Sequence, residues 1–252
     1  MRENGYSYFK ELHYQKDILY LYNCWDVMSA KLIESKGAKA LATSSYAVSD
    51  ACGYNDGEQL PFELLVCLAQ KLVDNTNLPV SIDAEGLYAK SLKSLHQNAQ
   101  TLFNTGIAGI NFEDKKSQTR NYELWDINEQ SERIQIVKSA AVSAETQIFI
   151  NARTDLFFKH NNHSADLVKE ALKRAEKYAE AGADGIFIPG LTKLNMIKEF
   201  TDLSPLPVNI MLDSMNSVTI DWKEIGVSRV SYGPQSYFQA KRILSSNIIF
   251  KV

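Results

Sequence analysis

The chain has 252 residues, of which 45% are hydrophobic and 23% charged, with a formal net charge of −3 and a sequence pI of about 5.9. This composition is close to that of an average soluble domain, so there are enough apolar residues for a full core. The weakly acidic charge gives no electrostatic footprint for nucleic acid or for an anionic membrane, and we expect neither as a partner. The apolar runs are shorter than the ~20 residues that a membrane-spanning helix needs.

The beginning of the chain and its cysteines indicate a cellular compartment. Residues 1–17 are mixed and charged, unlike a secretory signal, and they predict a leading helix or cap. Cys24, Cys52 and Cys67 are odd in number and form no C-x-x-C pair, which argues against a disulfide framework and a zinc site. We therefore expect a reducing, cytoplasmic location.

From Asp17 onward, strand patterns alternate with helix patterns. The first strand pattern is DILYLYN (17–23), and a helix is predicted over Asp26–Lys36. Four phrases carry a Gly at a helix end followed by an apolar strand: SKGAKALAT (35–43), NTGIAGINF (104–112), EAGADGIFI (180–188) and EIGVSRVSY (224–232). The remaining strand patterns are LPVSID (78–83), QIFINARTD (147–155) and LPVNIMLD (206–213).

Eight strands that alternate with helices predict a parallel sheet, and a length near 250 residues is typical of a closed barrel. The predicted fold is therefore a single-domain α/β protein, a (β/α)8 barrel of the TIM type spanning residues 1–252. The first strand is not followed by G-x-G-x-x-G, which argues against dinucleotide binding. In such barrels the active residues lie where the strands end.

Carboxylates are concentrated at two of these strand ends. Alternation of side chains along a strand places Ser81, Asp83 and Glu85 on one face, and Asn111 and Glu113 on one face of the next strand. Neighbouring carboxylates are costly unless a cation lies among them. We predict Mg²⁺, with Mn²⁺ as the alternative metal, held directly by Asp83 and directly or through water by the two glutamates. In the competing interpretation, Arg153 and lysines neutralise the cluster.

Two further stretches offer polar groups for the same site. Asp56, in GYNDGEQLP, either reaches the metal through a water molecule or is an ordinary turn residue. Asn151 and Arg153 share a face of the fifth strand, where an arginine can clamp a carboxylate or stabilise an enolate. Asp155 then orients the arginine, and a purely structural Arg–Asp pair is an equally good interpretation.

A long polar stretch follows the fourth strand. Residues 115–127 exceed the usual 2–6 residues of a strand-to-helix connection, which predicts a lid over the active site. Such a lid would exclude water from an enolate, which solvent would otherwise protonate. We expect Lys115 to supply charge or a proton there, and Lys116 to be solvated.

Ordered motifs along most of the chain resemble those of a known group of enzymes. They are WDVMSAKLIESKGAKALATSSYAVSDACGYNDGE, LPVSIDAEG, GINFED, INARTD, AGADGIFIPG, LPVNIM and RVSYGP. From about Leu21 to Leu244, the chain resembles the isocitrate lyase / phosphoenolpyruvate mutase superfamily, in its branch of short single-barrel proteins. The resemblance implies a Mg²⁺-dependent enzyme that makes or breaks C–C or P–C bonds of a 2-oxo acid or related carboxylate through a pyruvate-enolate-like species.

The resemblance also implies roles for individual residues. Metal binding is implied for Asp83 and Glu85, with Glu113 as a further acidic group and Asp56 as a water-bridged one. The groups implied to bind substrate are Ser44, Ser45, Tyr46 and Asn209, with Arg153 at the reacting group. From its place on the same strand face as Arg153, we expect Asn151 to bind substrate as well. A homodimer or homotetramer is implied, often with exchange of the last helix. Here we expect no long exchanged tail after the eighth helix (Gln235–Leu244).

One departure from the family pattern bears on the chemistry. Family lyases that cleave isocitrate or methylisocitrate carry Lys-(Lys/Arg)-Cys-Gly-His in the lid, whereas residues 115–126 (KKSQTRNYELWD) contain no Cys or His. We therefore expect a lyase that cleaves a C–C bond of an oxaloacetate-like 2-oxo acid. The alternatives are a phosphonopyruvate-type mutase or hydrolase acting on a P–C bond, and a non-catalytic barrel that only binds a small carboxylate.

Overall fold

The computed structural model describes residues 5–117, 122–160, 162–213 and 220–248. The strands are β1 (Leu19–Leu21), β2 (Asn23–Cys24), β3 (Leu41–Thr43), β4 (Val80–Asp83), β5 (Gly109–Glu113), β6 (Phe149–Arg153), β7 (Gly185–Phe187), β8 (Val208–Met211) and β9 (Arg229–Ser231). All pairings are parallel, in the order β1-β9-β8-β7-β6-β5-β4-β3-β2. Because β1 and β2 are two halves of one strand, pairing with β9 and β3 respectively, the sheet closes. The predicted eight-stranded TIM-type barrel is confirmed.

Helices follow the strands and surround the barrel. They are α1 (Gly5–Glu11), α2 (Val27–Ser35), α3 (Ser45–Ala51), α4 (Phe62–Asn75), α5 (Leu92–Phe103), α6 (Ile127–Ser143), α7 (Leu156–Lys159), α8 (Ala165–Glu180), α9 (Leu194–Leu203) and α10 (Gln235–Asn247). Asp26, Ser91 and Asp126 begin α2, α5 and α6 with capping boxes that satisfy backbone N–H groups of the first turn. Among the described residues, no helix has both the length and the apolar character required to span a bilayer.

Three helices, α2, α5 and α8, are followed by glycines in the left-handed region, as the sequence predicts, whereas Gly226 ends a turn and not a helix. The φ angles are +87° at Gly37, +81° at Gly106, +100° at Gly182 and +83° at Gly226. After α6 the corresponding position is Glu145, with a φ of +51°. A side chain at this position carries a steric cost that glycine avoids.

The amino end of the barrel is filled by aromatic packing beneath α1. Phe9 lies at the edge of the Phe149 ring, with 5.5 Å between centroids, and His13 stacks on the same ring at 4.1 Å. Gly109 permits this packing, because a Cβ there would lie 2.8 Å from the carbonyl oxygen of Phe149 and 2.9 Å from Phe9. The opposite, carboxyl end of the barrel therefore remains for the polar residues that the sequence singles out.

The predicted lid lies partly outside the described residues, because 118–121 are not among them. On either side of that gap, Lys115 forms an isolated antiparallel bridge with Leu124. Trp125 N also donates to the carbonyl oxygen of Asp114 at 2.8 Å. The two ends of the segment are thus fastened to the carboxyl end of β5.

Candidate active site

Strand register brings the predicted polar residues together at the carboxyl edge of the sheet. Asp83 is paired with Asn111, and Asn111 in turn with Asn151. Two residues further along, Glu113 is paired with Arg153. The period-2 pattern of β4, β5 and β6 therefore places these side chains on the inner face, as predicted.

Asp83 is held from two sides. Ser45 N donates to Oδ2 at 3.1 Å, and Asn111 Nδ2 donates to Oδ1 at 3.5 Å. The predicted carboxylate-binding loop is not a free loop, since Ser44 is the N-cap of α3 and accepts a hydrogen bond from Ala47 N. The Ser45 amide, expected from the sequence to bind a substrate carboxylate, is bonded to Asp83 in this structure. Tyr46 is half-exposed beside the ring of Phe238.

Glu85 corrects one detail of the sequence interpretation. β4 ends at Asp83, and Glu85 has a φ of +50° in the turn that follows, so it does not continue the strand alternation. Its side chain is nonetheless buried and accepts hydrogen bonds from Glu58 N at 2.8 Å and from the Tyr88 hydroxyl at 3.1 Å. Leu87 and Tyr88 also have positive φ angles. The left-handed turn of DAEGLYA thus brings Glu85 to the cluster by a route that alternation does not foresee.

Arg153 lies at the centre of the acidic group. It forms a bidentate pair with Asp155, with Nε–Oδ1 at 2.5 Å and Nη2–Oδ2 at 3.0 Å. Its Nη1 is 3.1 Å from Glu113 and 3.8 Å from Asp83. Asp155 therefore fixes the guanidinium, and the remaining edge of the arginine faces the two carboxylates predicted to surround a metal.

Asp56 belongs to the same group, although the residue as a whole is exposed. Its carboxylate accepts a hydrogen bond from the Ser45 side chain, and Asp83, Arg153 and Lys115 act on it electrostatically. Desolvation first, and then repulsion from Asp83, raises the pKa of Asp56. The loop GYNDGEQLP thus contributes a carboxylate to the rim of the site.

The carboxylates are crowded enough to disfavour their own ionisation. Burial, followed by repulsion from Asp56, Asp83 and Glu58, raises the pKa of Glu85 to about 8. Burial raises the pKa of Glu113 well above its usual range, while Arg153 opposes this shift. A cation placed among these oxygens would relieve the repulsion, and an all-oxygen donor set suits a hard ion such as Mg²⁺.

The described residues do not form a ready metal cage. Among them, no group of three or more His, Cys, Asp or Glu side chains is arranged to hold a metal ion. Mg²⁺ keeps several water ligands and usually takes only one or two carboxylates directly. The residues present therefore fit a magnesium ion held through one or two carboxylates and water.

The predicted substrate ligands Asn151 and Asn209 are bonded to each other. Both are buried, and Asn151 Nδ2 donates to Asn209 Oδ1 at 3.1 Å and to Asn111 Oδ1 at 2.9 Å. Asn209 Nδ2 donates in turn to the carbonyl oxygens of Ile210 and Arg229. The two amides and Asn111 thus form one hydrogen-bonded chain inside the barrel, and direct contact with a substrate stays a prediction for both Asn151 and Asn209.

Lys115 lies between the acidic group and a cavity of about 480 Å³ that it lines together with Glu58, Tyr88, Trp125 and Arg133. Its Nζ is 5.1 Å from the centroid of the Tyr122 ring. Lys115 therefore lies where the predicted lid begins, close enough to the site to favour the ionised form of Asp56.

Sequence reasoning missed three residues that the structure brings to the site. The Tyr122 hydroxyl donates to Asp155 Oδ2, and the Glu58 carboxylate accepts from Tyr88 N at 2.7 Å. Arg229 is fully buried inside the barrel. The sequence does mark Arg229, because alternation along GVSRVSY puts Arg229 and Ser231 on one face of an otherwise apolar strand. No local pattern marks the other two, since long-range folding brings them in.

Comparison with known proteins gives consistent matches over nearly the whole chain. The profile of the family "Phosphoenolpyruvate phosphomutase" matches residues 9–248. An uncharacterized protein of Mycobacterium tuberculosis is 32% identical over 230 residues, covering 91% of this chain and 83% of that protein. The crystal structure of a putative phosphonomutase from Burkholderia cenocepacia J2315 is 40% identical, with a TM-score of 0.90 over 94% of this chain and 96% of that one. A phosphonopyruvate hydrolase, solved with oxalate and Mg²⁺, shares the fold at 19% identity, with a TM-score of 0.85 over 96% and 85% of the two chains.

Proposed function

The chain belongs to the phosphoenolpyruvate phosphomutase family, and we propose that it is a Mg²⁺-dependent lyase that cleaves a C–C bond of a small, oxaloacetate-like 2-oxo acid through a pyruvate enolate. The observation that carries the proposal is the convergence of Asp83 and Glu113 on Arg153, with Glu85 and Asp56 adding carboxylates near Asp83. This arrangement combines an oxygen-rich environment for a hard cation with one strong positive group for a developing negative charge.

Asp83 is the residue proposed to hold the metal directly, with Glu85, Glu113 and Asp56 acting directly or through water. Each oxygen of Asp83 accepts one hydrogen bond in the structure, so both retain a lone pair for a cation. When bound there, Mg²⁺ would polarise the 2-oxo group of a substrate as a Lewis acid. Mn²⁺ prefers the same oxygen ligands and is the alternative ion.

Chain groups supply the remaining functions in this proposal. Ser44, Ser45 and Tyr46 at the start of α3 bind the substrate carboxylate, and Asn151 and Asn209 shape the floor of the site. Arg153, held by Asp155, stabilises the enolate oxygen electrostatically. Lys115 supplies a proton or positive charge from the lid side, where the family's Cys and His are missing.

The charge around Arg153 favours C–C over P–C cleavage. Asp155, Glu113 and Asp83 all face this arginine, so its single positive charge suits the one developing charge of an enolate better than a phosphonate dianion. A leaving group that departs as a neutral molecule, such as CO₂, needs less positive charge. P–C cleavage of a phosphonopyruvate-like compound is the second candidate, because the B. cenocepacia protein, 40% identical, is described as a phosphonomutase.

The deciding assay is a panel of 2-oxo acids incubated with and without Mg²⁺. Pyruvate release from oxaloacetate or a homologue, abolished by EDTA and restored by Mg²⁺, is the expected result. Phosphate or phosphoenolpyruvate formed from phosphonopyruvate would support the second candidate. Metal and oxalate binding without turnover of any compound would support a non-catalytic carboxylate-binding barrel. The Asp83→Asn variant, which keeps the side-chain shape, serves as the control that loses metal-dependent turnover.

We propose further that the protein functions as a homodimer or homotetramer. The last helix, α10, contains no buried residue, and it exposes Phe238, Ile243 and Leu244. Exposed apolar side chains concentrated on one helix are typically covered by another chain. Light scattering at micromolar concentration tests this proposal, and a monomer would contradict it.

A further inference from the structure

Arg229 is a buried cation without a carboxylate partner among the described residues. Its side chain is 0% exposed inside the barrel, where bulky branched residues are usual. Nε is 3.3 Å from Ser231 Oγ and Nη2 is 3.3 Å from Asn111 Oδ1, whereas Nη1 has no hydrogen-bond partner in the described part of the chain. Burial of such a charge is unfavourable, so its presence calls for a function.

The contacts of Asn111 connect this charge to the proposed metal ligand. Asn111 Oδ1 accepts from Arg229 Nη2 and from Asn151 Nδ2, at 3.3 Å and 2.9 Å. Because both neighbours are N–H donors, the atom of Asn111 that faces them must be its amide oxygen. A reversed amide would place its own N–H groups against these donors. The nitrogen end of Asn111 must then face Asp83 Oδ1, at 3.5 Å.

Arg153 competes with Asn111 for the Asp83 carboxylate. Arg153 Nη1 is 3.8 Å from the same oxygen, Oδ1, that Asn111 contacts. If Asn111 reversed, its oxygen would repel Asp83, and the carboxylate would move toward Arg153 and pair with it. The orientation of one amide therefore decides whether Asp83 faces a cation or is neutralised by the protein.

We propose that Arg229 is a positioning residue that locks the amide of Asn111 and so holds the Asp83 carboxylate in its metal-binding orientation. The inference rests on the proposed function. Arg229 is not itself among the proposed ligands of the metal or of the substrate. Burial lowers the pKa of Arg229 to about 9, while the charge of Asp83 opposes this shift. The guanidinium is therefore still charged at neutral pH.

The test measures the affinity of the full chain for Mn²⁺ alone, by electron paramagnetic resonance at pH 7.5, together with the thermal unfolding temperature. We expect Arg229→Met to lower Mn²⁺ affinity at least tenfold while leaving the unfolding temperature unchanged or higher, because an uncompensated buried charge is removed. Unchanged affinity would overturn the inference. A loss of affinity accompanied by a large fall in unfolding temperature would also overturn it, since the role would then be structural.

Arg229→Lys keeps the positive charge but lacks the branched guanidinium that reaches both Ser231 and Asn111. We expect its Mn²⁺ affinity to lie between those of the native chain and of Arg229→Met. If Arg229→Met does not fold, Arg229→Lys decides alone. An affinity at least threefold below that of the native chain supports the inference, and an equal affinity overturns it. In the double-mutant cycle, Arg229→Met is expected to have little further effect in an Asn111→Leu background. Independent, multiplying effects would overturn the route through Asn111.

Mn²⁺ binding and turnover of the native chain distinguish a failure of this inference from a failure of the proposed function. If the native chain binds no Mn²⁺ and turns over no 2-oxo acid, the proposed function fails and this inference fails with it. If the native chain binds Mn²⁺ and Arg229→Met binds it equally well, only the inference fails.

Discussion

The hydroxyl of Tyr122 donates a hydrogen bond to Oδ2 of Asp155, the same oxygen that receives Arg153 Nη2. Tyr122 comes from the segment between β5 and α6, whereas Asp155 follows β6, so this contact ties the lid side of the site to the arginine. Both the Arg153 guanidinium and the Tyr122 hydroxyl thus depend on one carboxylate for their positions. If Arg153 has its proposed role, the side of the site that carries Tyr122 helps to position this arginine through Asp155.

Tyr122→Phe removes only this hydroxyl. We expect kcat/KM for the compound identified in the panel to fall about tenfold, because a hydrogen bond to a charged group contributes about 1.5 kcal/mol. Mn²⁺ affinity should stay within twofold of the native value, since Asp83 is not involved. The control is Tyr14→Phe, at an exposed tyrosine away from the site. An unchanged kcat/KM in Tyr122→Phe would exclude this role.

A second buried ion pair supports the site from outside the barrel. Arg174 Nη1 is 3.0 Å from Asp114 Oδ2, and the Tyr178 hydroxyl donates to the same oxygen at 2.9 Å. The other oxygen of Asp114 accepts from Asp155 N at 3.0 Å, which links this pair to the backbone of the site. Asp114 is completely buried, so its charge depends on these partners.

Arg174→Met should therefore destabilise the protein strongly. Removal of one partner leaves a buried charge uncompensated, and we expect the free energy of unfolding in urea to fall by about 3 kcal/mol. Arg174→Met combined with Asp114→Asn should recover part of that loss, because the stranded charge is then removed as well. A single variant within about 1 kcal/mol of the native protein would contradict the pairing.

The barrel and most of its strand ends were predictable from sequence because they depend on local patterns. Glycines after three helices and alternation along β4, β5 and β6 are properties of short segments. Glu85 was assigned to the wrong local structure because its left-handed backbone interrupts the alternation. Asp56 and Tyr122 were ambiguous or missed, since their places depend on how long connections fold back over the barrel. No pattern within a segment carries that information.

The charge state of His13 predicts a pH dependence of stability. Burial, together with the nearby positive charge of Arg229, lowers the pKa of His13 to about 3. Above pH ~6.5 the imidazole is neutral in both folded and unfolded chains. As the pH falls below that value, only the unfolded chain takes up the proton, so stability is lost progressively down to about pH 3.

Comparison of the native chain with His13→Phe isolates this contribution. Between pH 6.5 and 4.5, the native chain should lose about 2 to 3 kcal/mol more unfolding free energy than the variant, at about 1.4 kcal/mol per pH unit. Leu12→Ala is the matched control in the same buried cluster, and its destabilisation should be equal at every pH. If the unfolding free energies of the native chain and of His13→Phe changed in parallel with pH, His13 would take up its proton equally well in the folded and unfolded chains, which would contradict the prediction.

Glu145 offers a stabilising substitution. It follows the C-cap of α6 with a φ of +51°, is exposed, and occupies the position that glycine holds after α2 and α8. Glu145→Gly should raise the free energy of unfolding by about 1 kcal/mol, because glycine adopts this conformation without a Cβ clash. Glu145→Ala removes the same charge but keeps the Cβ, so it should leave stability nearly unchanged. Equal stabilisation by both variants would mean that the charge, rather than the backbone conformation, carries the cost.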